Sequence, residues 1–253
     1  MLKPSVSVII CAYNEERFIE QTLKDLLKCA AVDEIIVVND GSKDKTLDII
    51  KKYQKQIKII SYRKNRGKGY AFYCGVRAST GNIIVTMDAH LKNIKNSHIK
   101  KLTGPIIRRQ ANWVIAPRVN WNNNSVPTAN LTGERAYLKE ILIPYLPRFK
   151  DSRFGLETYL NEFFNPKWGK TVLLKGVVHP LKNQKMPPDQ ALSAYIKEII
   201  EISKTKAEIA AQNHRQLLNI LKKTNNIKSV KNLRSKIGQI KDQEILELIK
   251  KYL

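Results

Sequence analysis

Ile83-Ile84-Val85-Thr86-Met87-Asp88-Ala89-His90 is a run of β-branched and apolar residues that ends on a carboxylate, with an imidazole two positions later. It reads as a buried strand whose carboxyl end carries polar chemistry. Asp88 is the only Asp or Glu between Asp48 and Glu134, an interval that holds sixteen Lys and Arg residues. A lone carboxylate at a strand end, paired with His90, forms a candidate metal site. The cations around it imply an anionic partner such as a phosphate. The plainer alternative is that Asp88 caps the next turn and His90 is a loop residue. Residue chemistry alone leaves both open.

Working outward, the same alternation recurs. Val6 to Ile10 is a short apolar run, followed by the loop Ala12-Tyr13-Asn14-Glu15-Glu16 and a helix to about Ala30, marked by Phe18, Ile19, Leu23, Leu26 and Leu27. Glu34 to Val38 is a second strand. Asn39-Asp40-Gly41-Ser42 turns the chain, and Ser42 or Asp44 can cap a helix to about Tyr53. Ile57 to Ser61 is a third strand, Asn65 to Gly69 a glycine-bearing loop, and Tyr70 to Ala78 a helix. Strand and helix in alternation predict an α/β fold, a mostly parallel sheet with helices on both faces. In such folds ligands bind beyond the carboxyl ends of the strands, where all these loops fall.

The second half is harder to read. Ser97 to Gln110 is predicted helical and Trp113 to Ala116 a strand. Val119 to Thr132 is an Asn-rich loop, Gly133 to Leu142 a helix ended by Pro144 and Pro147, and Arg153 to about Phe164 another helix. Thr171 to His179 reads as a last strand. After Pro187-Pro188 an imperfect heptad predicts helices almost to the end. The expected organisation is an α/β domain over 1–182 and a helical appendage over 183–253, which packs on the domain or on a second copy.

Composition narrows the function classes. With 253 residues, 43% hydrophobic and 26% charged, the chain holds one substantial core and is neither disordered nor membrane-spanning, since no apolar run approaches 20 residues. No signal-peptide pattern precedes the first strand. Three cysteines (Cys11, Cys29, Cys74) without metal-ligand spacing fit a reducing cytoplasm. The net charge is +23, of which the residues from Leu181 onward carry +8. A charge so distributed suits phosphorylated substrates, an anionic membrane surface touched peripherally, or nucleic acid. A Lys-rich solubilising surface is the alternative.

Four motifs in order, Ser7 to Glu16, Glu34 to Thr46, Asn65 to Gly69 and Met87 to His90, resemble the family 2 glycosyltransferases, whose single nucleotide-binding domain has the GT-A fold. The resemblance is firm over about residues 5 to 90, extends to about 180 and omits the tail. It implies a nucleotide-sugar donor, with Ala12, Tyr13 and Glu15 after the first strand, Tyr13 stacking on a base and Glu15 accepting from ribose or orienting the loop. The family's base-reading acid is Asn39 here, an uncharged acceptor, followed by Asp40. Lys68 sits in a Gly-Lys-Gly loop that lets backbone approach a diphosphate.

Where the family carries Asp-x-Asp, this chain has Asp88-Ala89-His90. The expected metal set is Asp88, His90 and the donor diphosphate around Mn²⁺ (or Mg²⁺), with His179 as a third protein ligand or a core histidine. Glu157 in Gly155-Leu156-Glu157-Thr158 is the candidate base, or a helix N-terminal acid favoured by the dipole. Asp151 and Glu162 are its local alternatives, and Glu134 is expected to line the acceptor side. His98 and His214 read as surface residues. The implied function is inverting transfer from a UDP-sugar to a glycan, lipid or protein hydroxyl. Two other readings are a sugar nucleotidyltransferase, which normally carries a Gly-rich loop where Cys11 to Glu15 stand, and a nucleic-acid-binding module, whose interleaved basic and aromatic motif is absent from the sequence.

Overall fold

The computed structural model describes residues 3–117, 131–150, 152, 155–164, 166–180, 196, 200 and 202–205. The chain divides into two units, Met1–Pro180 and Leu181–Leu253, and the fold is that of the first. Of the second unit, residues 196, 200 and 202–205 are helical. The remainder of the predicted appendage, His214 included, lies outside the described residues. So do most of the Asn-rich loop, Asp151 and the side chain of Glu162.

The strands are β1 (Val6–Ala12), β2 (Glu34–Asp40), β3 (Lys58–Tyr62), β4 (Ile83–Asp88), β5 (Trp113–Ile115), β6 (Arg135–Leu138) and β7 (Gly169–Thr171). They form one seven-stranded sheet in the order β3-β2-β1-β4-β6-β5-β7. The left side is parallel throughout, with Cys11 of β1 beside both Val38 of β2 and Asp88 of β4. That register lines up the carboxyl ends of three strands. The helices are α1 (Ile19–Leu26), α2 (Thr46–Lys51), α3 (Lys68–Ala78), α4 (Asn96–Ile107), α5 (Lys139–Leu142), α6 (Leu146–Phe149) and α7 (Leu156–Phe163). Strand β1 is apolar without alternation because both of its faces are covered. Val6, Val8 and Ile10 join α1 residues Ile19, Leu23 and Leu26 in one core. Ile9 joins Phe72 and Val76 of α3 and Phe149 of α6 in the other.

Three expectations are corrected. Gly133 to Leu142 is not one helix: its first half is β6, antiparallel to both β4 and β5, and only Lys139–Leu142 is helical. Ladder bonds on both sides and the burial of Tyr137 override the helical pattern. The Arg135 side chain, also buried, donates from Nε to the Thr132 carbonyl at 2.9 Å. The last strand is Gly169–Thr171 rather than Thr171 to His179. Beyond it Val172 still donates to the Ile115 carbonyl, Leu174 packs into the core, and the chain turns at Gly176 (φ 84°) to form a bridge between Lys92 and Val178. His98 is not a surface residue but 4% exposed. Its Nδ1 accepts from the Lys95 backbone N–H at 3.1 Å, and its Nε2 faces the Lys175 carbonyl at 3.0 Å. That pairing fixes the neutral tautomer with the proton on Nε2.

Candidate active site

The motif loops are stitched to one another by side chain to backbone hydrogen bonds. Asn14, at φ 54°, accepts on Oδ1 from the Lys43 N–H at 2.9 Å, and its own N–H donates to Ser42 Oγ at 3.0 Å. The Glu15 N–H donates to Thr46 Oγ1 at 2.8 Å. Ser42 therefore serves the neighbouring loop, while Asp44, one residue before the Lys45 N-cap of α2, accepts from the Thr46 N–H at 3.0 Å. Ala12 is fully buried, whereas the Tyr13 ring is 42% exposed beside this seam.

Asp40 organises the glycine-bearing loop. Its carboxylate accepts from the backbone N–H of Arg66 at 2.7 Å, from that of Gly67 at 2.9 Å and from Asn65 Nδ2 at 2.8 Å. Gly41 makes room: at φ 70°, a Cβ there would lie 2.6 Å from the Asn65 nitrogen. Arg66 is laid over the Tyr70 ring at 3.4 Å. Asn39, 1% exposed, donates from Nδ2 to Ser61 Oγ at 3.0 Å, and its Oδ1 has no hydrogen-bond partner among the described residues.

Gly67 (φ 95°) turns the loop into α3 so that Lys68 heads the helix. The Lys68 ammonium lies 2.8 Å from Asp88 Oδ1 and 2.6 Å from Glu157 Oε1. Asp88 ends β4 and Glu157 stands in the first turn of α7, so one cation joins two carboxylates from elements far apart in sequence. Both acids are buried, at 6% and 8% exposure. Burial opposes the charge on Lys68, yet Asp88 and Glu157 together hold its pKa well above 10.5. Burial pushes the Cys11 thiol, beneath this cluster, up to about 12, against the pull of Lys68. A thiol so raised is a packing group rather than a nucleophile at neutral pH.

His90 reaches the same place from the other side. Its Nε2 is 3.9 Å from Asp88 Oδ2, and its Nδ1 is 3.2 Å from Glu15 Oε1. With the Nδ1 proton given to Glu15, the Nε2 lone pair faces Asp88, the arrangement in which a carboxylate orients a metal-binding imidazole. One carboxylate and one imidazole so placed fit a divalent cation of the Mn²⁺ or Mg²⁺ kind that fills its remaining positions with ligand oxygens. His179 stands beside Glu134. Its Nε2 lies 4.0 Å from Glu134 Oε2, and among the described residues no group of three His, Cys, Asp or Glu side chains is arranged to hold a metal. Glu134 is 1% exposed, accepts from the Thr132 hydroxyl, and has no hydrogen-bond partner for Oε1 among the described residues.

Sequence reasoning singled out Asp88, His90, Lys68 and Glu157 but missed what spaces them. A Cβ on Gly133 would lie 2.2 Å from Asp88 Oδ1, so only glycine lets this carboxylate sit where it does. A Cβ on Gly69 would meet the Ser152 carbonyl at 2.0 Å, and the Gly69 N–H donates to that carbonyl at 2.9 Å, tying the start of α3 to the approach to α7. Gly133 and Gly69 were visible as glycines, but nothing local revealed what they approach.

A family profile described as "Glycosyl transferase family 2" matches residues 7–167. An uncharacterized glycosyltransferase of Haemophilus influenzae is 41% identical over 90 residues, covering 34% of this chain and 28% of the relative. A dolichyl-phosphate beta-glucosyltransferase of Trichomonas vaginalis is 38% identical over 93 residues, covering 32% and 28%. These matches thus span less than a third of the relatives' own length. Among solved structures, glucosyl-3-phosphoglycerate synthase of Mycobacterium tuberculosis superposes with a TM-score of 0.61 at 21% identity over 80% of both chains. That likeness shows a shared GT-A-like α/β fold. With the family profile covering well over half of the chain, this protein belongs to glycosyl transferase family 2.

Proposed function

We propose that this chain transfers a sugar from a nucleotide diphosphate donor, a UDP-sugar, to a hydroxyl acceptor with inversion at the anomeric carbon. The observation that carries the reading is the meeting of Asp88 and Glu157 on one Lys68 ammonium at the carboxyl edge of the parallel strands. A buried carboxylate pair held open by a cation offers one acid for the donor side and one for the acceptor side. The half-exposed Tyr13 ring offers a stacking face to a base, and the buried Asn39 Oδ1 is an acceptor for a base N–H.

Asp88 and His90 are the residues that would hold a divalent cation, with Glu15 fixing the imidazole. Such a cation supplies Lewis-acid stabilisation to a departing nucleoside diphosphate. Glu157 takes the proton from the acceptor hydroxyl as its oxygen bonds to the anomeric carbon. Gly133 lets the Asp88 carboxylate sit close against its backbone, and Gly69 ties the start of α3 to Ser152, an arrangement that would orient donor and acceptor. Support for the donor comes from the mycobacterial neighbour, solved with Mn²⁺ and UDP-glucose and with Mg²⁺ and UDP. The acceptor class extends to glycan, lipid or protein hydroxyls. The net charge of +23 favours an acceptor that carries phosphate. No helix among the described residues is long and apolar enough to cross a membrane.

Thermal denaturation against UDP-, GDP-, CDP- and dTDP-sugars, each with and without Mn²⁺, tests the donor. Stabilisation tracks ligand affinity, so the UDP-sugar with Mn²⁺ should raise the Tm most. A larger shift with another nucleotide would overturn the base assignment. No shift with any of them would overturn the reading as a whole.

A further inference from the structure

Lys68 occupies an unusual place for a cation. It is the first residue of α3, and no acidic residue stands in that first turn. The helix macrodipole disfavours positive charge there. Its ammonium is nonetheless locked at 2.8 and 2.6 Å to two buried carboxylates. One of these, Asp88, turns its other oxygen toward His90 at 3.9 Å.

The surroundings fix what can move. Gly133 walls Asp88 in at one side, and Gly69 pins the start of α3 to Ser152. The backbone therefore stays in place, while the Lys68 side chain, 29% exposed on a flexible four-carbon stem, can swing. A divalent cation approaching Asp88 and His90 meets a positive charge already bonded to Asp88. Two cations on one carboxylate repel, and the repulsion falls only when negative charge enters between them. A diphosphate brings that charge and offers oxygens that can accept from the ammonium.

We infer that Lys68 is a built-in counter-ion that competes with a divalent cation for Asp88 until an incoming diphosphate draws it away. In the resting chain Lys68 bridges the two carboxylates, and metal binding depends on the donor. Lys68 is a positioning residue in this role: it acts on the metal through Asp88 and on the acceptor proton through Glu157. The inference rests on the donor-site reading above, but its core comparison uses the metal alone.

The test is direct Mn²⁺ titration of the full chain, read by electron paramagnetic resonance and calorimetry, without nucleotide and then with UDP. Lys68→Met should bind Mn²⁺ roughly tenfold or more tightly than the parent chain when no nucleotide is present. Lys68→Gln should do the same, and Lys68→Arg, which keeps the charge, should match the parent. UDP should tighten Mn²⁺ binding in the parent far more than in Lys68→Met. Thermal denaturation checks that each variant is folded, and either neutral variant suffices. Unchanged or weaker Mn²⁺ affinity in the folded neutral variants would overturn the role of Lys68. If UDP fails to tighten Mn²⁺ binding in any of the proteins while the neutral variants still bind it more tightly, the donor reading fails and the counter-ion role stands.

Discussion

The two halves of the domain are built by different means. From β1 to β4 the strands are parallel, and the loops at their carboxyl ends hold each other by hydrogen bonds between successive motifs: Asn14 with Ser42 and Lys43, Asp40 with Asn65, Arg66 and Gly67. From β5 to β7 the elements are short. An antiparallel strand is inserted between β4 and β5, and the site residues arrive by packing contacts rather than by motif. On the proposed reading, the first half prepares a surface for a nucleotide, and the second sets the distance at which its acids, Glu157 above all, meet that surface.

The difference is sharpest where the halves touch. Gly133→Ala would push a methyl group into the Asp88 carboxylate, which Lys68 pins from the other side. Transfer is expected to fall by about 100-fold, while overpacking costs only about 1–3 kcal/mol of stability. Steady-state kinetics beside a denaturant titration separates the two. Full activity would show that the second half does not position Asp88.

A smaller effect on chemistry but a larger share of folding energy is expected from the first half. Asp40→Ala leaves the Arg66 and Gly67 N–H groups without their acceptor, the second of them buried. The expected loss is about 3 kcal/mol of unfolding free energy, measured by urea denaturation. A change within about 0.5 kcal/mol would mean that the loop is held elsewhere.

The smallest effect belongs to His98, which links α4 to the Lys175 segment. Burial pulls its pKa below 6.5. As pH falls through 6.5 the unfolded chain takes up a proton that the folded chain refuses, so the contribution of neutral His98 is present above that pH and lost below it. Thermal melts from pH 8 to pH 5 should show this loss in the parent and a shallower slope in His98→Gln. Equal slopes would place the acid sensitivity elsewhere.

These contrasts explain what the sequence could tell. Strands β1, β2 and β4 were legible because burial on both faces produces continuous apolar runs with polar residues at the carboxyl ends, while the partly buried edge strand β3 was legible from the alternation with helices. Asp88 and His90 were singled out for the same reason, since they end or follow such a run, and Lys68 for its place between two glycines. Strand β6 was not, because Arg135 to Leu138 has no period of its own and is a strand only between β4 and β5. The link from Lys68 to Glu157 was hidden too. Lys68 was read as a phosphate contact from its loop, and an ion pair across the fold has no local signature. His98 looked like a surface residue because its partners are backbone groups, which any sequence supplies.

The central claim is that Asp88 and Glu157 divide the work at one site. Nucleotide-sugar hydrolysis and transfer by Asp88→Ala and Glu157→Gln, each assayed with Mn²⁺ across a metal titration, test it most directly. Asp88→Ala should lose both hydrolysis and transfer by about 10³-fold and its metal dependence with them. Glu157→Gln should lose transfer by about 10²–10⁴-fold while still binding donor and metal. Full metal-dependent turnover in Asp88→Ala, or undiminished transfer in Glu157→Gln, would contradict the account.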